Sequence, residues 1–143
     1  MKLLINEVLQ KVSNAKTKKE KIRLLQDHNT QALRSILIVN FDESIVSMLP
    51  EGTVPYQPND APLGTEHTVL EKECRLLYHF FKGGSSIAQT KRESMFIRLL
   101  EGLSAGEAEV LCLAKDKQIG KRWKVTRACV EEAFPQIKWG NRS

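Results

Sequence analysis

Thirteen residues of the sequence, KDKQIGKRWKVTR from Lys115 to Arg127, hold six Lys or Arg against one Asp. Gly120 sits at their centre and Trp123 stands among the cations. A second basic run, KTKKEKIR, spans Lys16 to Arg23. Cations at this density suit the neutralisation of phosphates. Lys115, Lys117, Lys121, Arg122, Lys124 and Arg127 supply charge in the first run, and Gly120, lacking a Cβ, lets a phosphate approach the backbone. Lys16, Lys18, Lys19 and Lys21 form the second set. Each run lies at or near the start of a helix predicted from apolar spacing, where free N–H groups and the positive dipole end favour an anion. Such contacts give affinity without reading base sequence. The plainer reading is that each run is only a solvated connector.

Other chemistry is hard to find. No P-loop, HExxH, GxSxG or EF-hand pattern occurs. Glu131 and Glu132 are adjacent on a predicted helix, so their side chains diverge by about 100° and do not suit a shared acid/base site. His79 lies in LLYHFF and reads as a core or boundary histidine. GGSS, Gly83 to Ser86, lacks the Lys-Ser/Thr and the preceding strand of a phosphate loop, and a helix stop accounts for it. No constellation sets a nucleophile beside a base, so the expected protein is not an enzyme and needs no cofactor. The three cysteines, Cys74, Cys112 and Cys129, make no CxxC, and neither His67 nor His79 adds a repeated ligand spacing. No metal is expected. Free thiols in apolar contexts suggest a reducing compartment.

The charge is unevenly spread along the chain. The net charge is +5 over 143 residues. Residues 1–40 hold eight Lys/Arg and three acids, residues 41–81 two and seven, and residues 82–143 twelve and seven. Basic ends around an acidic middle suit a fold with one basic face. The start MKLLINEVLQK is broken by Asn6 and Glu7, which is not the apolar core of a signal peptide. Nothing approaches the ~20 apolar residues of a membrane span. A cytoplasmic protein that binds no membrane is expected.

Helical spacing dominates, and two-residue alternation is nearly absent. The first helix is predicted from Lys2 to Asn14, with Leu4, Ile5, Val8, Leu9 and Val12 on one stripe. Thr17 caps the second, with Glu20 completing a capping box. Asn29 or Thr30 caps a third that turns Leu33, Ile36, Leu37 and Phe41 inward. DESIVSML, Asp42 to Leu49, reads as a short helix. A loop with four Pro and two Gly follows, Pro50 to Gly64. Thr65 or Thr68 caps a helix through Phe81, stopped by KGGSS. Another carries Met95, Phe96, Leu99 and Leu100. Ser104 and Glu107 form a second capping box before the helix Ala105 to Ala114. Thr126 caps the last helix, with Val125 and Val130 as a hydrophobic staple and Pro135 beyond its end. The expected fold is all-α: a single helical domain over residues 1–143, of seven or eight helices, with a Pro-rich loop at 50–64.

Taken in order, these elements resemble a known family. LINEVLQKVSNAKTKKEKIRLLQDHN is similar to the opening helices of the DNA ligases of T-even phages, with an Asn-Glu pair in the first helix and a basic helix after it. RESMFIRLLEGLSAGEAEVLCLAKDKQIGKRWKVTRACVEEAFP resembles the end of the N-terminal helical DNA-binding domain of ATP-dependent ligases, with the basic-residue, Ile-Gly turn at Lys117 to Gly120. The resemblance covers about residues 1–50 and 66–137. It implies an all-helical fold that grips duplex DNA, intact or nicked, through its phosphates. No KxDG lysine occurs, so it does not imply ligation. The sequence around Trp123 is an insertion in that turn, and the Pro-rich loop has no counterpart in the family. The chain also looks like small proteins of T4-like phages of cyanobacteria, which implies no function. The expected function is thus a non-catalytic duplex-DNA-binding accessory protein of a phage, in the cytoplasm of the infected host. The alternatives are a protein-binding adaptor or inhibitor of a host or phage enzyme, and a virion structural component.

Overall fold

The computed structural model describes residues 3–50, 52, 54–57 and 68–140. These residues form an all-α domain of helices α1 (Ile5–Asn14), α2 (Lys18–Asp27), α3 (Gln31–Phe41), α4 (Leu70–Glu73), α5 (Gln89–Gly102), α6 (Ala105–Lys115), α7 (Ile119–Arg122) and α8 (Arg127–Ala133). A 3₁₀ stretch, Cys74–Phe80, continues α4. No strand occurs among the described residues; only isolated bridges do.

Helix α6 is the central element. It packs against α1, α3, α5 and α7. Its sequence suits that position, because Ala108, Val110, Leu111 and Ala114 are all buried and the small residues let neighbours come close. At Gly106 an added Cβ would run into the carboxamide of Asn6 on α1. Helix α3 is buried round most of its circumference, through Ala32, Leu33, Ile36, Leu37, Val39 and Asn40. The core is mainly aliphatic, as the low aromatic content predicts, with Phe80 and Phe96 meeting edge-on at 5.1 Å.

Local capping places the helix starts. Thr17, Thr30, Ser104 and Thr126 each accept a hydrogen bond from the N–H three residues on, which satisfies a donor the first turn leaves free. Val125 and Val130 are both buried, as the staple requires. Helices α1 and α4 begin instead after Leu4 and Val69, which carry no polar side chain. Their missing cap comes from elsewhere. One carboxylate, that of Glu107, accepts Ile5 N–H at 3.1 Å and Leu70 N–H at 3.0 Å. Glu107 is 1% exposed. Its local role is smaller than predicted: its backbone N–H donates to Ser104 Oγ at 3.4 Å, while its side chain caps two other helices.

Several predicted boundaries move. Lys2 and Thr65 lie outside the described residues, as does most of the 50–64 loop. Thr68 is not the cap; its hydroxyl donates to Glu73 at 3.0 Å, and helical geometry starts at Leu70. Asp42 to Leu49 is not a helix. Asp42 Oδ1 accepts both the N–H and the hydroxyl of Ser44, a local turn that competes with helix continuation. Ser47 then pairs antiparallel with Phe81, through Met48 N–H on Phe80 O at 2.9 Å and Lys82 N–H on Val46 O at 2.8 Å. Here the side chains do alternate: Ile45, Ser47 and Leu49 are partly buried, while Val46 and Met48 are exposed.

Candidate nucleic-acid interface

The two basic runs meet in space. Helix α2 lies along α8, and the link between α1 and α2 abuts the turn between α7 and α8. Lys21 Nζ donates to Lys124 O at 2.6 Å. Lys124 N–H donates to Ser13 Oγ at 3.0 Å. Trp123 Nε1 donates to Gln10 Oε1 at 3.2 Å, and Gln26 Nε2 reaches Ala133 O at 3.2 Å. Runs about a hundred positions apart are therefore held side by side.

Within that surface the cations differ. Lys16, Lys19, Lys121 and Lys124 are exposed, and no partner engages their ammonium groups among the described residues. Lys18 pairs with Glu132 at 2.8 Å, and the hydrogen bond and charge of that carboxylate hold its ammonium above the ordinary lysine value. Arg127 pairs with Glu131 at 2.8 Å and lies over the Trp139 ring at 4.7 Å. Arg122 faces Glu109 at 3.6 Å and the Trp123 ring at 4.9 Å.

Lys115 and Lys117 correct the sequence reading. Lys115 is buried, 4% exposed. Its ammonium donates to Pro50 O at 2.7 Å and Gly52 O at 3.3 Å, and it pairs with Asp116 at 2.6 Å. Asp116 in turn accepts Gly52 N–H. Lys115 thus anchors the start of the Pro-rich loop and holds no exposed charge for a phosphate. Lys117 donates to Val39 O at 2.8 Å and Asp42 O at 2.7 Å, so it closes the C-terminal end of α3, where free carbonyls accept a cation. Partial burial lowers its pKa. Ile119 N–H joins the same knot by donating to Asn40 Oδ1 at 3.0 Å.

Gly120 is exposed and has no special backbone geometry. The left-handed residue of this turn is Lys117, with φ 57°. Gly120 sits in α7, and a Cβ there would meet only Val125 O at 3.6 Å, an ordinary contact. Its exposed position is open to a ligand, but the local fold does not require glycine. Trp123 is 2% exposed and belongs to the core.

Replacing Lys115 with methionine should keep its buried stem and remove the charge. The Pro50 and Gly52 carbonyls and Asp116 lose their donor, so urea unfolding should show a loss of about 2 kcal/mol. A loss below about 0.5 kcal/mol would show that the anchor contributes nothing.

No cluster of His, Cys, Asp and Glu suited to a metal occurs among the described residues. Cys74, Cys112 and Cys129 are free thiols. Burial pushes the Cys112 thiol up to about 11, so it is a poor nucleophile near neutrality. No described helix is long and apolar enough to cross a membrane.

These features define a small all-helical domain in which the two basic runs are held side by side. The chain belongs to a family of unknown function, DUF6433, whose profile matches residues 8–121. The match takes in Lys16 to Lys21 and the turn through Lys121, while Arg122, Lys124 and Arg127 lie past it. No curated protein and no solved structure matches the chain.

Proposed function

We propose that the basic face binds double-stranded DNA through its phosphates, independently of sequence, as a non-catalytic accessory protein. The observation that carries this reading is the junction of the two runs, fixed by Lys21 on the Lys124 carbonyl. It sets the run of Lys16 and Lys19 beside the run of Lys121 and Lys124, all four exposed and free of protein partners among the described residues. Sequestering Trp123 in the core removes the one aromatic side chain of this turn on which an unpaired base would stack, which favours a duplex over a single strand. The resemblance to ligase DNA-binding helices supports the same reading and an accessory role in phage DNA replication, repair or packaging.

Fluorescence anisotropy on intact and nicked duplexes tests the proposal. Four phosphate contacts predict that log K falls against log salt with a slope of about −4. Binding that ignores salt, or none at low ionic strength, would reject it. A protein-binding role has one observation in its favour: Val46, Met48 and Tyr78 leave large apolar surface exposed, at 45%, 39% and 53%. Capture of a protein partner that survives nuclease treatment and is lost in Val46→Ser/Met48→Ser would favour that role.

A further inference from the structure

The basic face carries its own counter-anions. Glu132 holds Lys18, Glu131 holds Arg127, and Glu109 holds Arg122, all with both side chains about half exposed. These glutamates lie on α6 and α8, the elements that border the exposed lysines. A phosphate reaching Lys18, Arg122 or Arg127 has to displace a carboxylate already there. Exposed ion pairs are weak, so displacement is feasible but reduces the net gain.

We infer that Glu109, Glu131 and Glu132 form a built-in competitor that restrains the affinity of the face, so that only a dense phosphate array displaces them. The inference rests on the phosphate-binding reading above. A duplex presents one charge per ~1.7 Å of axis, so it can occupy the four free lysines and compete for the three held cations at once, displacing the carboxylates only in part. An isolated phosphate can displace at most one carboxylate. The glutamates therefore act as a threshold that selects duplex over sparse anions and keeps binding reversible.

The test compares wild type with Glu109→Gln/Glu131→Gln/Glu132→Gln, titrating a fluorescent duplex from low to moderate salt. Glutamine keeps size and polarity and removes the competing charge. The triple variant should bind roughly tenfold tighter, and its salt slope should steepen from about −4 to about −6 as three more cations become available. The ratio of duplex to inorganic-phosphate affinity should fall. A control, Glu73→Gln/Glu93→Gln on α4 and α5, raises net charge away from the face and should change affinity less than about twofold because of screening. Circular dichroism melting confirms that each variant is folded.

If wild type and triple variant bind with the same affinity and slope, the competitor is disproved and the DNA reading stands. Binding by the triple variant alone would mean that a duplex does not displace the carboxylates of wild type, and would overturn the inference and the DNA reading of the native chain. An equal gain from the control would reduce the effect to net charge and overturn the inference. Absence of binding by both proteins at low salt would overturn the inference and the DNA reading together.

Discussion

Replacing Glu107 with alanine is expected to destabilise the fold by roughly 2–6 kcal/mol. The estimate follows from two buried N–H donors, those of Ile5 and Leu70, that would lose their acceptor at about 1–3 kcal/mol each. For a chain of this size that is a fall of roughly 10 °C in Tm. Glu107→Gln should lose less, since one amide oxygen still accepts while the NH₂ group faces a donor. Burial holds the Glu107 carboxyl above the usual carboxylate range, against the two N–H groups, which favour the charged form. The sign of the pH dependence follows. A proton bound more tightly by the folded chain gives stability that is complete below the unfolded value, about 4.3, and is lost as pH rises through the folded value. Urea unfolding of wild type and Glu107→Gln from pH 4 upward should therefore show the stability advantage of wild type shrinking over that window. An advantage that grew with pH would mean that the hydrogen bonds outweigh burial and hold the carboxyl low.

Trp123→Ala is expected to remove about 3–5 kcal/mol, the range for emptying a buried tryptophan site. The side chain is 2% exposed and donates to the exposed Gln10 on α1, so alanine leaves a cavity and cuts the tie to α1. Trp123→Phe should keep most of the packing, lose the N–H bond and fall between the two. Denaturant unfolding followed by circular dichroism gives the numbers. A loss below about 1 kcal/mol would show that Trp123 contributes little to the core. The alanine variant should also loosen the turn carrying Lys121 and Lys124, because Trp123 pins that turn to α1.

Much of the fold was legible because capping is local. Thr17, Thr30, Ser104 and Thr126 sit three residues from the N–H groups they satisfy, so the sequence shows both partners at once. The starts of α1 and α4 were less legible, because their acceptor lies 102 and 37 residues away on Glu107. Asp42 to Leu49 misled because a short apolar segment fits either period, and its pairing partner, Phe81, is remote. The candidate site was half legible. Cation density located Lys121 and Lys124 correctly on the surface. It gave no means of telling them from Lys115 and Lys117, whose ammonium groups donate to carbonyls of a distant loop and a distant helix end. A buried acceptor waiting for a lysine leaves no local mark in the sequence. The same holds for Glu109, Glu131 and Glu132, whose residue types were visible but whose assignments to Arg122, Arg127 and Lys18 depend in part on how α2 meets α8.

The bond between Lys21 and Lys124 closes a loop of 103 residues. The charge density of the face is therefore a property of the native state alone. Unfolding disperses its lysines along a chain whose ends no longer meet. Any polyanion that prefers the assembled face must stabilise the native chain by mass action, raising its melting temperature with ligand concentration. A peptide spanning 115–127 would carry six cations but lack the opposing run. Any such binding would be linked to the long-range contacts that bring the two runs together.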